Sequence, residues 1–167
     1  MELSDGDVTI RSWRNDDLDE LVAAVNDPEI GRWMPAIPHP YSQADARAYL
    51  ARATRREGAF AVVDARSGRL LGGITVNAQN WGRAEIGYWV RVDARGRGVA
   101  SCALSLASRW ALGRHRRVQL HADVENEASQ RVAEKVGFKR EGVLRSWIEQ
   151  NGTPRDHVLY SLLRDDL

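Results

Sequence analysis

Two spacings of apolar residues alternate along the chain. Short runs rich in β-branched and aromatic residues predict strands over residues 8–13, 59–64, 69–77, 85–92, 118–124, 139–149 and 155–163. Apolar residues three and four positions apart predict helices over residues 15–25, 43–56, 99–112 and 127–136. Strands and helices therefore share one chain, and we expect a mixed α+β fold.

Turn signals between these elements indicate how the strands pair. Ser67-Gly68 separates two strands by a short turn, and Asn151-Gly152 is a strong hairpin signal. The connection from residue 92 to residue 118 is long and helical, so the strands that it joins are expected to be parallel. No linker interrupts the pattern. We expect one domain over residues 1–167, with a mostly antiparallel sheet of six to seven strands and helices on both faces.

A turn with two glycines and two arginines joins the fourth predicted strand to the longest helix. Gly96 and Gly98 allow a close approach of the backbone to a ligand, and the first turn of the helix offers unpaired N–H groups. The helix dipole favours an anion there, and Arg95 and Arg97 add positive charge. The turn is either a phosphate-binding loop or an ordinary strand–helix connection.

Two other phosphate-binding motifs fit this turn poorly. No G-x-x-x-x-G-K-[ST] run occurs in the chain. Gly96, Gly98 and Ser101 come close to a dinucleotide fingerprint. However, three strands in hairpin order precede the turn, which a dinucleotide-binding half does not have. An NAD-dependent oxidoreductase is therefore a distant alternative.

Composition narrows the function classes. A formal net charge of +1 gives no strongly basic surface for nucleic acid. The single cysteine, Cys102, excludes an internal disulfide and a cysteine-based zinc site. No apolar run approaches the roughly 18 residues of a membrane span, and we find no signal peptide. We expect a cytoplasmic protein that binds neither nucleic acid nor membrane.

A proline-rich segment over residues 30–41 carries large apolar side chains. Its prolines predict an irregular loop. Large apolar side chains such as Trp33 and Met34 are not expected in a polar surface loop. Each of these side chains alone could belong to the core. For the whole segment we favour a wall of the substrate site, formed by Trp33, Met34 and Tyr41, with Trp81 from a later turn.

The glycine turn resembles a known family. Residues 95–100 are similar to the [QR]-x-x-G-x-[GA] pyrophosphate loop of the GNAT superfamily of acetyl-CoA-dependent N-acetyltransferases. Residues 84–89, Asn126 with Ser129, and residues 134–145 resemble the RimJ/RimL branch. The resemblance covers residues 10–163.

The resemblance implies how acetyl-CoA would be held, with no metal. The strand before the loop is expected to splay from its neighbour, and Trp89 and Val90 would pair with the pantetheine arm. The Val90 amide would be an oxyanion donor. Asn126 matches an asparagine that binds the same arm, although a helix cap is an alternative role. The loop contacts would come from Arg95, Gly96, Arg97, Gly98, Val99, Ala100 and Ser101.

The resemblance offers several candidates for the groups that would move protons. Many members have a tyrosine where this chain has Ala133, and the RimJ/RimL branch instead has a serine, matched by Ser129, to protonate the leaving thiolate. For the base we rank Glu85 first and His121 second. Glu149 is third, because a one-residue offset turns its side chain to the other face. Asp156 and His157 on the final strand could polarise a group of the site, but we favour a role in solubility, which is common for charged residues of an edge strand.

Two function classes remain. The first is an N-acetyltransferase whose acceptor is a protein N-terminal α-amine or a small-molecule amine. The second is a sensor that binds acetyl-CoA or CoA without catalysis. A sensor would not need proton-transfer groups, so the presence of Glu85, Asn126 and Ser129 together argues against it. A homodimer through the last strands is compatible with the sequence.

Overall fold

The computed structural model describes all of residues 1–167. The five helices are α1 (Leu18–Val25), α2 (Pro28–Trp33), α3 (Gln43–Ala53), α4 (Val99–Leu112) and α5 (Glu127–Val136). The eight strands are β1 (Glu2–Asp5), β2 (Val8–Ser12), β3 (Ala59–Asp64), β4 (Leu70–Gln79), β5 (Arg83–Val90), β6 (Arg117–Asp123), β7 (Lys139–Gln150) and β8 (Thr153–Leu163). No helix is both long enough and apolar enough to cross a membrane.

The strands form one mixed sheet in the order β1-β2-β3-β4-β5-β6-β8-β7. The predicted parallel pair is β5 with β6, and the pairs that β8 forms with β6 and β7 are antiparallel. These findings confirm the predicted mixed, mostly antiparallel fold. The eighth strand, β1, was not predicted, because three of its four residues are exposed and polar and only its pairing with β2 makes it a strand.

Segment 30–41 begins with a helix, where we had predicted only irregular structure. Asp27 caps α2 by accepting a hydrogen bond from the Glu29 N–H, and Pro28 occupies the first helical position. The other prolines lie beyond Trp33, so they end α2 and leave its residues helical. The prediction of a loop therefore holds only after α2.

The chain divides into two compact units. The first contains Met1–Thr75 and Tyr88–Ala107. Its core packs α1 and α3 onto β2 and β3, through side chains such as Trp13, Leu21, Leu50 and Val63. The second contains Val76–Gly87 and Ser108–Leu167, with Tyr160 and Leu162 of β8 fully buried. The prediction of one domain over the whole chain remains a prediction.

A buried ion pair links β2 to the start of α1, and its removal is our first stability prediction. Both oxygens of Asp17 accept hydrogen bonds from the Arg11 guanidinium, at 2.9 and 2.7 Å. The two side chains are 9% and 8% exposed. Asp17→Asn leaves Arg11 buried without its partner, so we expect the free energy of unfolding to fall by about 3 kcal/mol.

Denaturant unfolding measures this change, with Asp16→Asn as the matched control. Asp16 is the exposed neighbour, so its substitution should stay within about 0.5 kcal/mol of the wild type. Equal effects of the two substitutions would show that the ion pair does not stabilise the fold.

Candidate active site

The glycine turn follows the end of β5 in the first unit. A short 3-10 turn over Val92–Ala94 leads from the strand into the loop. Gly96 and Gly98 have φ values of 70° and 80°, a backbone conformation that residues with a side chain rarely adopt. The Cys102 N–H donates to the Gly98 carbonyl at 3.0 Å, so the α4 ladder begins directly at the second glycine.

The loop offers donors and space to an anion. A Cβ built on Gly96 or Gly98 meets no atom within 4 Å. The backbone N–H groups of residues 96–101 donate to no protein acceptor. Unpaired N–H groups at a helix start bind phosphate well. The loop therefore fits the pyrophosphate of a CoA thioester, which the sequence resemblance implied.

Arg95 has protein partners where we had predicted a phosphate. Its guanidinium forms ion pairs with Asp27, the cap of α2, and with Glu29 at 3.2 Å. Its Nε donates to the Val90 carbonyl at 3.1 Å. Arg95 thus ties the end of β5 to the start of α2, and a phosphate contact of Arg95 remains a prediction. Arg97 is exposed and forms no ion pair or hydrogen bond within the protein.

One edge of β5 is left without a strand partner. The ladder with β6 ends at Glu85 and Gln119, although β5 continues to Val90 and β6 to Asp123. The Arg91 N–H donates to the Leu71 carbonyl on β4. Because neighbouring residues of a strand direct their N–H groups to opposite sides, the Val90 N–H points away from β4. The Val90 amide is therefore free of a β4 partner, and the predicted splaying of β5 from its neighbour stays a prediction.

Trp89 packs closely on β4. A Cβ on Gly72 would lie 2.3 Å from the Trp89 carbonyl oxygen, and one on Gly73 would lie 2.8 Å from Nε1 of its indole. The two glycines therefore let β4 accept the Trp89 backbone and ring. This fixes the backbone of β5 beside Val90.

A polar cluster lies on one face of the sheet in the second unit. The His121 Nε2 is 3.4 Å from a Glu85 oxygen, and the Gln119 side chain donates to the other oxygen at 3.4 Å. The hydrogen bond from His121 lowers the pKa of Glu85, although partial burial opposes this. Glu85 is therefore an ionised carboxylate at neutral pH, and its side chain is 27% exposed.

Two further residues join this cluster: His157, which we had favoured only as a solubility device, and Trp147, which we had not predicted. His157 on β8 places its Nδ1 2.9 Å from the Nδ1 of His121, and the Trp147 ring packs edge-on against His121 with centroids 5.7 Å apart. Our assignment of His157 to an edge strand was wrong, because β8 lies between β6 and β7. Trp147 follows Ser146, whose φ of 50° marks an irregular stretch of β7.

Asn126 and Ser129 lie at the β6–α5 junction. The Asn126 side chain caps α5 by accepting from the Ser129 N–H at 3.1 Å, as the alternative role predicted. The preceding Asp123 is 6% exposed, and both of its oxygens accept hydrogen bonds from Arg155, at 2.8 and 3.0 Å. The same carboxylate accepts the Glu125 N–H. These bonds fix the turn that carries Asn126.

Comparison with known proteins agrees with this geometry. The family model described as acetyltransferase (GNAT) domain matches residues 7–139. The chain belongs to the GNAT acetyltransferase family. YdaF of Bacillus subtilis (strain 168), named a ribosomal N-acetyltransferase, is 31% identical over 167 residues, which cover 94% of this chain and 91% of YdaF. This relative supports the RimJ/RimL-type branch.

Solved structures show the same fold. RimJ of Mycobacterium smegmatis, in complex with CoA-disulfide, is 24% identical with a TM-score of 0.84, covering 96% of this chain and 83% of that one. Spermidine N-acetyltransferase of Vibrio cholerae, in complex with CoA and spermine, is 21% identical with a TM-score of 0.81, covering 97% and 98%. Both are CoA-bound neighbours of this GNAT domain.

The residues that we predicted to bind the acceptor differ in exposure in this GNAT chain. Trp33 and Met34 at the end of α2 are half-buried, and Trp81 is 76% exposed with the Arg83 guanidinium over its ring. Tyr41 is 7% exposed and belongs to the core of the first unit. Its burial raises its pKa to about 12. Tyr41 therefore packs in the core, and acceptor contacts of the other three remain predictions.

Proposed function

We propose that this GNAT domain transfers the acetyl group of acetyl-CoA to a primary amine by direct attack in a ternary complex. The observation that carries the proposal is the glycine turn, with positive φ at both glycines and N–H groups free for an anion. Family membership supplies the reaction class. The retained, ionised Glu85 supports catalysis over mere binding.

The residues that would hold the donor come from the loop and from β5. Acetyl-CoA supplies an activated acetyl thioester. The N–H groups of residues 96–101 and the exposed Arg97 would bind its pyrophosphate. Val90 would offer its N–H to the pantetheine arm, whereas the Trp89 carbonyl lies against β4. The unpaired Val90 N–H would stabilise negative charge on the thioester oxygen. The Asn126 amide, which caps α5 through its oxygen, would use its N–H₂ on the same arm.

Glu85 would take the proton that the amine loses. Its carboxylate is ionised and partly exposed, so it can bind an incoming ammonium group and accept a proton after the amine is desolvated. Glu149, our third candidate, lies beside the β7–β8 hairpin turn opposite Pro154 and forms no hydrogen bond or ion pair with this cluster. This position supports Glu85 over Glu149 as the base in our proposal.

Ser129 would return a proton to the departing thiolate. We expect Ser129→Ala to lower kcat about tenfold, because one hydrogen bond to a charged leaving group is lost, with little change in acetyl-CoA affinity. Steady-state kinetics and calorimetry measure the two effects. Ser108→Ala is the control, since it removes a buried hydroxyl without a hydrogen-bond partner. An unaltered rate in Ser129→Ala would remove Ser129 from the reaction.

Two classes of amine are candidates for the acceptor. The name of YdaF supports a protein N-terminal α-amine, whereas the spermidine N-acetyltransferase shares only the fold and so lends weaker support to a small polyamine. A panel of both amine classes, with release of the CoA thiol as readout, tests the proposal. Turnover with either class supports it. Tight acetyl-CoA binding without turnover would favour the sensor instead. Within the proposal, the enzyme acts in the cytoplasm.

A further inference from the structure

Three ionisable side chains on neighbouring strands form one hydrogen-bonded series in the second unit. Glu85 on β5 contacts the Nε2 of His121 on β6 at 3.4 Å, and the Nδ1 of His121 contacts the Nδ1 of His157 on β8 at 2.9 Å. Both nitrogens of His121 are therefore engaged. His157 is 8% exposed, and its contact with His121 is partly buried.

The ionised carboxylate determines where the protons lie in this series. Glu85 can only accept hydrogen bonds, so the proton between it and His121 must sit on Nε2 of His121. When His121 carries a single proton, its Nδ1 is left as an acceptor. Because two Nδ1 atoms at 2.9 Å need one proton between them, His157 must carry its own proton on Nδ1.

The surroundings of His157 direct its proton to His121. Asp123 lies opposite His157 in the β6–β8 ladder, but Arg155 occupies both oxygens of that carboxylate. The neighbouring Asp156 accepts the Ser146 N–H at 2.8 Å. Trp147 on β7 contributes an aromatic ring against His121 and no acceptor. His121 is thus the hydrogen-bond partner that the structure gives to His157.

We propose that His157 is a positioning residue for acetyl transfer, whose Nδ1–H holds His121 in the tautomer that donates its Nε2–H to Glu85. This inference rests on the proposed role of Glu85 as proton acceptor. Without the His157 donor, the His121 proton can move to Nδ1. The Nε2 lone pair would then face the carboxylate, and Glu85 would lose the donor that orients it.

The first test reads the tautomers directly. Nitrogen-15 NMR of the imidazoles in the full chain, assigned with single histidine variants, should show His121 protonated on Nε2 and His157 protonated on Nδ1. A His157 protonated on Nε2, with His121 protonated on Nδ1, would overturn the inference. This measurement needs no turnover, so its failure is distinct from a failure of the proposed acetyl transfer.

The second test compares two variants at the same position. His157→Asn keeps an N–H donor near the place of Nδ1, whereas His157→Phe keeps a ring without a donor. We expect kcat within about threefold of wild type for His157→Asn and about tenfold lower for His157→Phe, with unchanged KM for acetyl-CoA. Equal losses in both variants, or no loss in His157→Phe, would overturn the positioning role. If His157→Phe does not fold, the NMR result decides.

Discussion

Gly98→Val should weaken acetyl-CoA binding about a hundredfold. Gly98 has a φ of 80°, and the space in front of it is open in the protein. A branched side chain there would occupy the position of the pyrophosphate and disturb the N–H groups that begin α4. The loss of two charge-assisted hydrogen bonds, each about 1.5 kcal/mol, gives this magnitude.

Gly6→Val separates this effect from backbone strain. Gly6 also has a positive φ, 56°, and a Cβ there meets no atom within 4 Å. Its substitution brings a similar conformational cost in the turn between β1 and β2, so we expect unchanged affinity. Calorimetric titration with acetyl-CoA measures both variants. Wild-type affinity in Gly98→Val would refute the assignment of the loop.

Glu85→Gln should lower kcat by a factor on the order of a hundred, which is typical of a lost general base. The amide keeps the size of the side chain and cannot take a proton from the amine. Acetyl-CoA affinity should stay within about twofold. Glu149→Gln is the matched carboxylate control, and we expect it to leave kcat unchanged. The reverse pattern would assign the base to Glu149.

The contact between Glu85 and His121 also has a pH signature in stability. Because the hydrogen bond from His121 lowers the folded-state pKa of Glu85, its stabilising effect is present above the unfolded pKa of about 4.3 and is lost as pH falls through the folded value. The Tm difference between wild type and Glu85→Gln should therefore be present at neutral pH and shrink in acid. A difference that persists at low pH would contradict this origin.

Locally encoded features of the fold could be predicted from sequence. Helices α4 and α5 begin and end at the predicted residues, because their boundaries depend on adjacent residues: the Gly98 turn, the Asn126 cap and the left-handed Gly137. The length of the helical connection between residues 92 and 118 correctly predicted that β5 and β6 are parallel. In contrast, β1 has no apolar alternation, and only its pairing with β2 reveals it.

Site features that depend on distant partners could not be predicted. Arg95 binds Asp27, 68 residues away in sequence, so nothing in the loop motif shows that its charge is already paired. The role of His157 could not be predicted because the order of the strands in the sheet cannot be read from local sequence patterns. That order decides whether β8 is an edge strand. Trp147 reaches His121 through an irregular stretch of β7, where simple alternation of faces fails.

Transfer of a labelled acetyl group tests the central claim most directly. Wild-type protein is incubated with acetyl-CoA labelled in its acetyl carbonyl and with the amine panel, beside Gly98→Val and Glu85→Gln. The account predicts label on an amine nitrogen, one CoA thiol released for each acetylated amine, and strongly reduced transfer in both variants. Bound acetyl-CoA with no label on any amine would contradict it.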